Sequence, residues 1–399
     1  MDLAFGLRTA VRRAVLAALL FGAVCQPLRA ADPIESKPKD EEAGFFFALA
    51  GAKDCAYDQS RRRLYVTTPK KLVVIDAKAR TILDSVKLPG GLQGCDIAPD
   101  FSFLAVAPIG AQFVYRIKLD WTKFEDMEVK QIKFKADAAE TGVFGIAVGS
   151  DNSVLFSTTY AGSGGVKLRR LNAKKDTVEE VGPVRMDAVL TASGGRRYAA
   201  VAEGNISSGP LKLYDFQEQT LKPIADLQGF HYEMACSRDA AYFARPNRKG
   251  CDLYDAKWGR LGTLEGLPVL CAAFHPKSDS LFVLRAGEVN IQEYDIQGKK
   301  VSSTYPLDKP LVIRGDVRVT ETAVLQPVGR DAVMASFRTS VNINFRTYAS
   351  GRLKISEDGA TLFAVIPSGV YMFPVKAPTP SATDTKPKPK ITVIDPDKG

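Results

Sequence analysis

The sequence predicts an all-β protein: sheets of four short strands, repeated along the chain and closed into a ring. Three observations predict it. Helical periodicity is almost absent, and short runs alternating β-branched or aromatic residues with polar ones are cut by Gly, Pro, Asp and Asn. One hairpin recurs, as in Cys55–Val66 (CAYDQSRRRLYV) and Cys95–Val106 (CDIAPDFSFLAV), where Cys55 to Leu64 and Cys95 to Leu104 keep the same register. The repeated units start near residues 55, 94, 142, 187, 231, 269, 311 and 351, a mean spacing of about 42 residues that suits four strands per unit. Such a unit cannot bury both faces of its own sheet, so units must pack face to face, and a closed circle leaves none uncovered. That architecture is a β-propeller.

The elements follow in chain order. Arg8, Arg12 and Arg13 precede an apolar run of eleven residues, Ala14–Val24, and Leu28–Asp32 offers small residues for cleavage. This pattern predicts a secretory signal peptide over residues 1–30, with an apolar run too short to span a bilayer. Residues 31–43 are charged and read as a flexible linker, 44–375 as the propeller, and 376–399, rich in Pro, Lys and Thr, as a disordered tail. The expectation is an exported protein, periplasmic or extracellular, without a transmembrane segment.

Within each unit the first hairpin turns on Asp, Gly or Ser, and the third strand ends in a turn aspartate. Asp76, Asp215, Asp255 and Asp295 occupy that place, with Asn172 in the same position. A carboxylate at a strand-to-turn junction accepts backbone N–H bonds, so these residues read as structural. The last unit, 351–375, has only three strands, and Phe45–Ala50 (FFFALA) is a ready donor for the fourth. The prediction is that 45–50 pairs alongside 370–375 and seals the ring. Residues 311–348 lack the turn aspartate. Counted as a unit they give eight blades, which the spacing favours; as an inserted hairpin they leave seven.

Leu64–Thr67, Val73–Asp76 and Ile97–Asp100 are the residues on which the chain resembles the YVTN propeller repeats, within the wider WD-repeat-like and quinoprotein amine-dehydrogenase-like propellers. Thr68, Pro69 and Lys70 stand where that family has an asparagine-centred loop, and no unit ends in Trp-Asp. The resemblance implies the fold, and a fold alone does not assign a function.

Composition narrows the chemistry. Removing residues 1–30, with four Arg and one Asp, leaves 50 basic and 44 acidic groups, a net +6 with no basic stripe for nucleic acid. Five cysteines remain, none in a C-x-x-C pair; an odd number in an exported chain leaves at least one free or intermolecular thiol, and Cys55 and Cys95, at one register in adjacent innermost strands, read as free buried thiols rather than a pair. Only two histidines exist, His231 and His275, too few for a histidine-rich metal centre, and no G-x-S-x-G occurs. His275 falls in a first-hairpin turn and reads as structural.

In a propeller, the loops between strands two and three and those between blades share one end. The candidate ligand-binding residues there are Lys70, Lys71, His231, Glu233, Arg245, Arg248, Lys249 and Arg314. Asp54, Asp96, Asp187 and Glu233 begin innermost strands, and an oxygen-only Ca²⁺ site is the one metal reading they allow; no other cofactor is expected. The leading expectation is a non-catalytic exported propeller that binds a protein, peptide or glycan through its loop-bearing face. The alternatives are a lactonase- or dehydrogenase-like propeller enzyme using channel carboxylates, and a structural component of an envelope assembly.

Overall fold

The computed structural model describes residues 44–375 except 162–163, 204–207, 229–232, 248, 286–289, 298–299, 308–316, 328–332 and 344–351; within 208–209, 227–228, 317–327 and 333–343 it describes backbone only. The expected signal peptide, linker and tail lie outside the described residues, as do His231, Arg248 and Arg314.

The strands form seven four-stranded antiparallel sheets and one separate two-stranded ribbon. Blades 1 to 6 are simple meanders whose innermost strands are Asp54–Asp58, Gly91–Ile97, Glu140–Val148, Val189–Ala192, Ala235–Cys236 and Val269–Phe274. Blade 7 starts at Arg352–Ile355 and continues through Thr361–Ile366 and Gly369–Pro374. Its fourth strand is Phe45–Ala48, paired antiparallel from Phe45 opposite Met372 to Ala48 opposite Gly369. The sealing strand therefore lies where the sequence placed it, two residues shorter than expected. Neighbouring inner strands touch in chain order, and that of blade 7 touches that of blade 1, closing the circle.

The blade count corrects the spacing argument. Residues 317–327 and 333–343 pair only with each other among the described residues, in continuous register from Val317 opposite Ile343 to Pro327 opposite Val333. Two eleven-residue strands consume as much chain as a blade without building one. There are seven blades, and the ribbon is inserted between the outermost strand of blade 6, Lys300–Pro306, and the innermost strand of blade 7.

The apolar runs explain the closure. Strand side chains alternate between faces, and the inner strands of a blade are covered on both, so strands such as Leu72–Asp76 are apolar almost throughout, whereas the outermost strand Thr81–Val86 is largely exposed. Leu72 and Val74 pack towards Leu104 and Val106 of blade 2, whereas Val73 and Ile75 pack towards Phe363 and Val365 of blade 7. Seven such clusters exist among the described residues, one at each blade interface. The turn aspartates behave as expected: Asp76 Oδ1 accepts the Lys78 and Ala79 N–H groups at 2.8 and 2.7 Å, and Asp255 Oδ1 those of Lys257 and Gly259 at 2.9 and 2.7 Å.

A meander fixes which loops share an end. First-hairpin turns lie at one end of the ring; strand-two-to-three loops and blade-to-blade links lie at the other. The turn end is tied together across blades. Arg61 donates to the Phe101 carbonyl at 3.1 Å, the Ser150 N–H to the Arg196 carbonyl at 2.8 Å, and the Asp358 N–H to Gln59 Oε1 at 3.1 Å. His275 is buried here, accepting the Lys277 N–H on Nδ1 at 3.1 Å and donating from Nε2 to the Gly359 carbonyl at 3.2 Å. Burial lowers its pKa, so the ring stays neutral and structural. Gly359 is obligatory at this point: its φ is +77°, and a Cβ would come within 2.2 Å of His275 Nε2.

Candidate functional site in the central channel

Each inner strand begins at the loop end and descends along the axis, so residues at strand starts ring the upper channel. A cavity of about 120 Å³ in the channel is lined by blades 2 to 7, from Glu233 and Arg352 near the strand starts, past Asp96 and Lys354, to Arg196 and Glu357 in the first-hairpin turns. Its remaining lining is largely small or apolar, among them Ala192, Gly194, Ala235 and Ala272. Charged groups packed into such a space must find partners or shift their protonation.

Asp54 and Asp96 find partners in the backbone. Asp54 accepts its neighbour's Cys55 N–H on Oδ1 at 2.9 Å and the Cys95 N–H of blade 2 on Oδ2 at 3.1 Å. Asp96 repeats the device one blade on, accepting the Ile97 N–H at 3.0 Å and the Val148 N–H of blade 3 at 2.7 Å. Both carboxylates therefore stitch adjacent inner strands together. Arg196 reaches Asp96 Oδ2 at 3.1 Å and Glu357 Oε1 at 2.9 Å, crossing the turn end of the channel from blade 4 to blade 7.

Glu233 is different. It is 6% exposed, lines the cavity, and among the described residues makes no direct hydrogen bond; its nearest cation is Arg352 Nη1 at 3.6 Å. Burial pushes its carboxyl up to about 7, against the opposing pull of Arg352 and Lys354. Lys354 likewise has an ion-pair contact and no direct hydrogen bond among the described residues, with Nζ 3.7 Å from Asp54 Oδ1. Burial pulls the Lys354 pKa down, but Asp54 and Asp96 outweigh it and the ammonium is held charged. Arg352 is 3% exposed, its Nε 3.9 Å from Asp54 Oδ1.

The other expected site residues are scattered. Lys70, Lys71 and Lys249 are exposed on loop-end turns. Arg245 is engaged within blade 5, paired with Asp252 directly across the strand at 2.9 Å. Asp187 is half-buried before blade 4, with φ of 57° and its N–H on the Thr158 carbonyl at 3.1 Å. Among the described residues, no group of three or more His, Cys, Asp or Glu side chains is placed to hold a metal ion. The five cysteines among the described residues are free and buried, and burial raises each thiol's pKa, so none of them is a thiolate nucleophile at neutral pH.

Sequence reasoning missed Arg352, Lys354 and Arg196. A signal for the first two existed. Aligning Leu353–Leu362 on Cys55–Leu64 puts Arg352 at the place of Asp54 and Lys354 at that of Ala56, so two cations stand in blade 7 where other blades carry acids or small residues.

No family model matches the chain, and no curated protein is significantly similar to it in sequence. The site has to be read from its own geometry.

Proposed function

We propose that this chain is an exported, non-catalytic binding protein that docks a polypeptide on its loop-bearing end. The observation that carries the reading is the asymmetry of the two ends. The turn end is tied from blade to blade by hydrogen bonds such as Arg61 to the Phe101 carbonyl and the Asp358 N–H to Gln59. Among the described residues the one long insertion, the ribbon of 317–327 and 333–343, belongs instead to a blade-to-blade link, the connection whose counterparts lie at the loop end.

The ribbon's form suits polypeptide over glycan. The outermost strands of blades 1, 3, 4, 5 and 6 each carry a register shift that spoils their edge for pairing. The ribbon keeps unbroken register over its length, and among the described residues neither outer edge pairs with another strand. An extended segment adds to such an edge through backbone hydrogen bonds. The YVTN-like repeats agree with a scaffold role but do not specify it.

The test is site-specific photo-crosslinking of the full chain in an extract of its source cells. A photoreactive residue at Lys71 or Lys249 should yield a discrete protein adduct; one at Lys78 or Lys277, exposed at the turn end, should not. Adducts of equal yield from both ends would overturn the reading.

A further inference from the structure

The channel holds one unassigned arrangement around one cavity: a buried carboxyl and a half-buried ammonium, neither with a direct hydrogen bond among the described residues, and a guanidinium. We propose that this is a carboxylate-binding site, in which Arg352 and Lys354 donate to the two oxygens of a ligand carboxylate seated beside Glu233. The inference rests on the reading above only for the direction of approach.

The choice of an anion follows from the charges facing the cavity. Arg352 and Lys354 stand within ion-pair distance of Asp54, at 3.9 and 3.7 Å, but both Asp54 oxygens already accept backbone N–H groups. Asp96 and Glu357 are taken up by Arg196 on the opposite side. Asp54 keeps its negative charge beside Arg352 and Lys354, but a cation entering beside Glu233 would find both Asp54 oxygens already engaged by backbone N–H groups, whereas a carboxylate meets the N–H groups of Arg352 and Lys354 in a medium of low dielectric. The cavity of about 120 Å³ is roughly ten times what one water requires, enough for a carboxylate and a short carbon stub.

Binding is then coupled to a proton. Glu233 faces Arg352 and Lys354 from blade 7 and Asp54 from blade 1, and beside it lie the thiols of Cys251 and Cys271, which stay protonated. As a carboxylate it would repel the ligand; as an acid it donates a third hydrogen bond. With Glu233 titrating at about 7, its neutral fraction falls about tenfold between pH 6 and pH 8, and affinity should fall with it.

The measurement is calorimetry on the full chain at pH 6 and pH 8 with three probes: propionate, an N-acetylated tripeptide with a free C-terminus, and the same tripeptide as its C-terminal amide. A carboxylate probe should bind at pH 6 and about tenfold more weakly at pH 8, while the amide does not bind. Binding of the tripeptide alone identifies a chain terminus as the source, and binding of propionate identifies a free acid; either supports the site. Glu233→Gln should keep binding and lose its pH dependence, and Lys354→Met should lose binding at both pH values. Equal binding of the amide, pH dependence surviving in Glu233→Gln, undiminished binding in Lys354→Met, or no heat from either carboxylate at pH 6 would each overturn the inference. Loop-end crosslinks without carboxylate selectivity would sink this site alone. Propionate binding without any loop-end adduct would sink the polypeptide reading alone.

Discussion

Two buried glutamates begin or precede inner strands at the loop end, each beside an arginine, and their situations are opposite. Glu140 of blade 3 is gripped by Arg169 through two parallel bonds, Nη1 to Oε1 at 3.0 Å and Nη2 to Oε2 at 2.7 Å. It also accepts the Thr158 hydroxyl at 3.1 Å and the Asp137 N–H at 3.0 Å, while Arg169 spends its remaining donors on the Lys135 and Lys167 carbonyls, both at 3.2 Å. Burial pushes the Glu140 pKa up, but Arg169 and these bonds outweigh it and hold the carboxyl below its usual range. Glu233 has Arg352 at 3.6 Å and no direct hydrogen bond among the described residues, so burial wins and the pKa rises to about 7. The difference teaches what burial alone cannot show: both groups are hidden, yet one is complete and the other waits for a partner.

Breaking the complete pair should have the largest effect. Arg169→Met leaves Glu140 buried with its charge uncompensated and removes the guanidinium from above the Phe134 ring. A loss of about 3–5 kcal/mol in urea unfolding at neutral pH is expected. A loss below about 1 kcal/mol would mean that Glu140 is as loosely held as Glu233.

How much of this was legible follows from the same contrast. Strand repeats, turn aspartates and the sealing strand could be read because each is a local pattern: alternation, a carboxylate beside the N–H groups it binds, an apolar segment next to a unit short of a strand. The blade number could not, since spacing counts residues and the 317–343 ribbon spends a blade's worth on two long strands. Asp54, Asp96 and Glu233 were recognisable as channel residues, but their roles depend on partners far along the chain. Asp96 is tied to a backbone amide 52 residues away and to an arginine 100 residues away. Nothing in the local sequence distinguishes such a carboxylate from one with no bond at all.

The pH response sharpens the comparison next. Glu233 titrates near 7 in the folded chain against an ordinary value of 4.5, so folding takes up a proton between those values. The Glu233 contribution to stability is therefore undiminished below pH 4.5 and is lost as pH rises through 7, by about 3 kcal/mol when ionisation is complete. Glu233→Gln abolishes that loss: it should stabilise the protein by up to about 3 kcal/mol at pH 8 and change little at pH 5. The same substitution at Glu140 should destabilise at pH 8, because it removes a charge that Arg169 needs. Identical signs for the two variants at pH 8 would dissolve the distinction between the pairs.

The smallest expected effect comes from the ion pair at the turn end. Glu357 is 35% exposed, and Arg196 keeps Asp96 and the Val148 carbonyl, at 3.1 and 3.2 Å, when Glu357 is gone. Water replaces the lost carboxylate, so nothing buried is left unpaired. Glu357→Gln should cost less than about 1 kcal/mol in thermal unfolding. Most of that difference should vanish at about 1 M salt, where the screening length falls to about 3 Å. A cost as large as that of Arg169→Met, or one indifferent to salt, would show that the turn end depends on this pair as blade 3 depends on Glu140. The division between a stitched end and an end left open for a ligand would then fail with it.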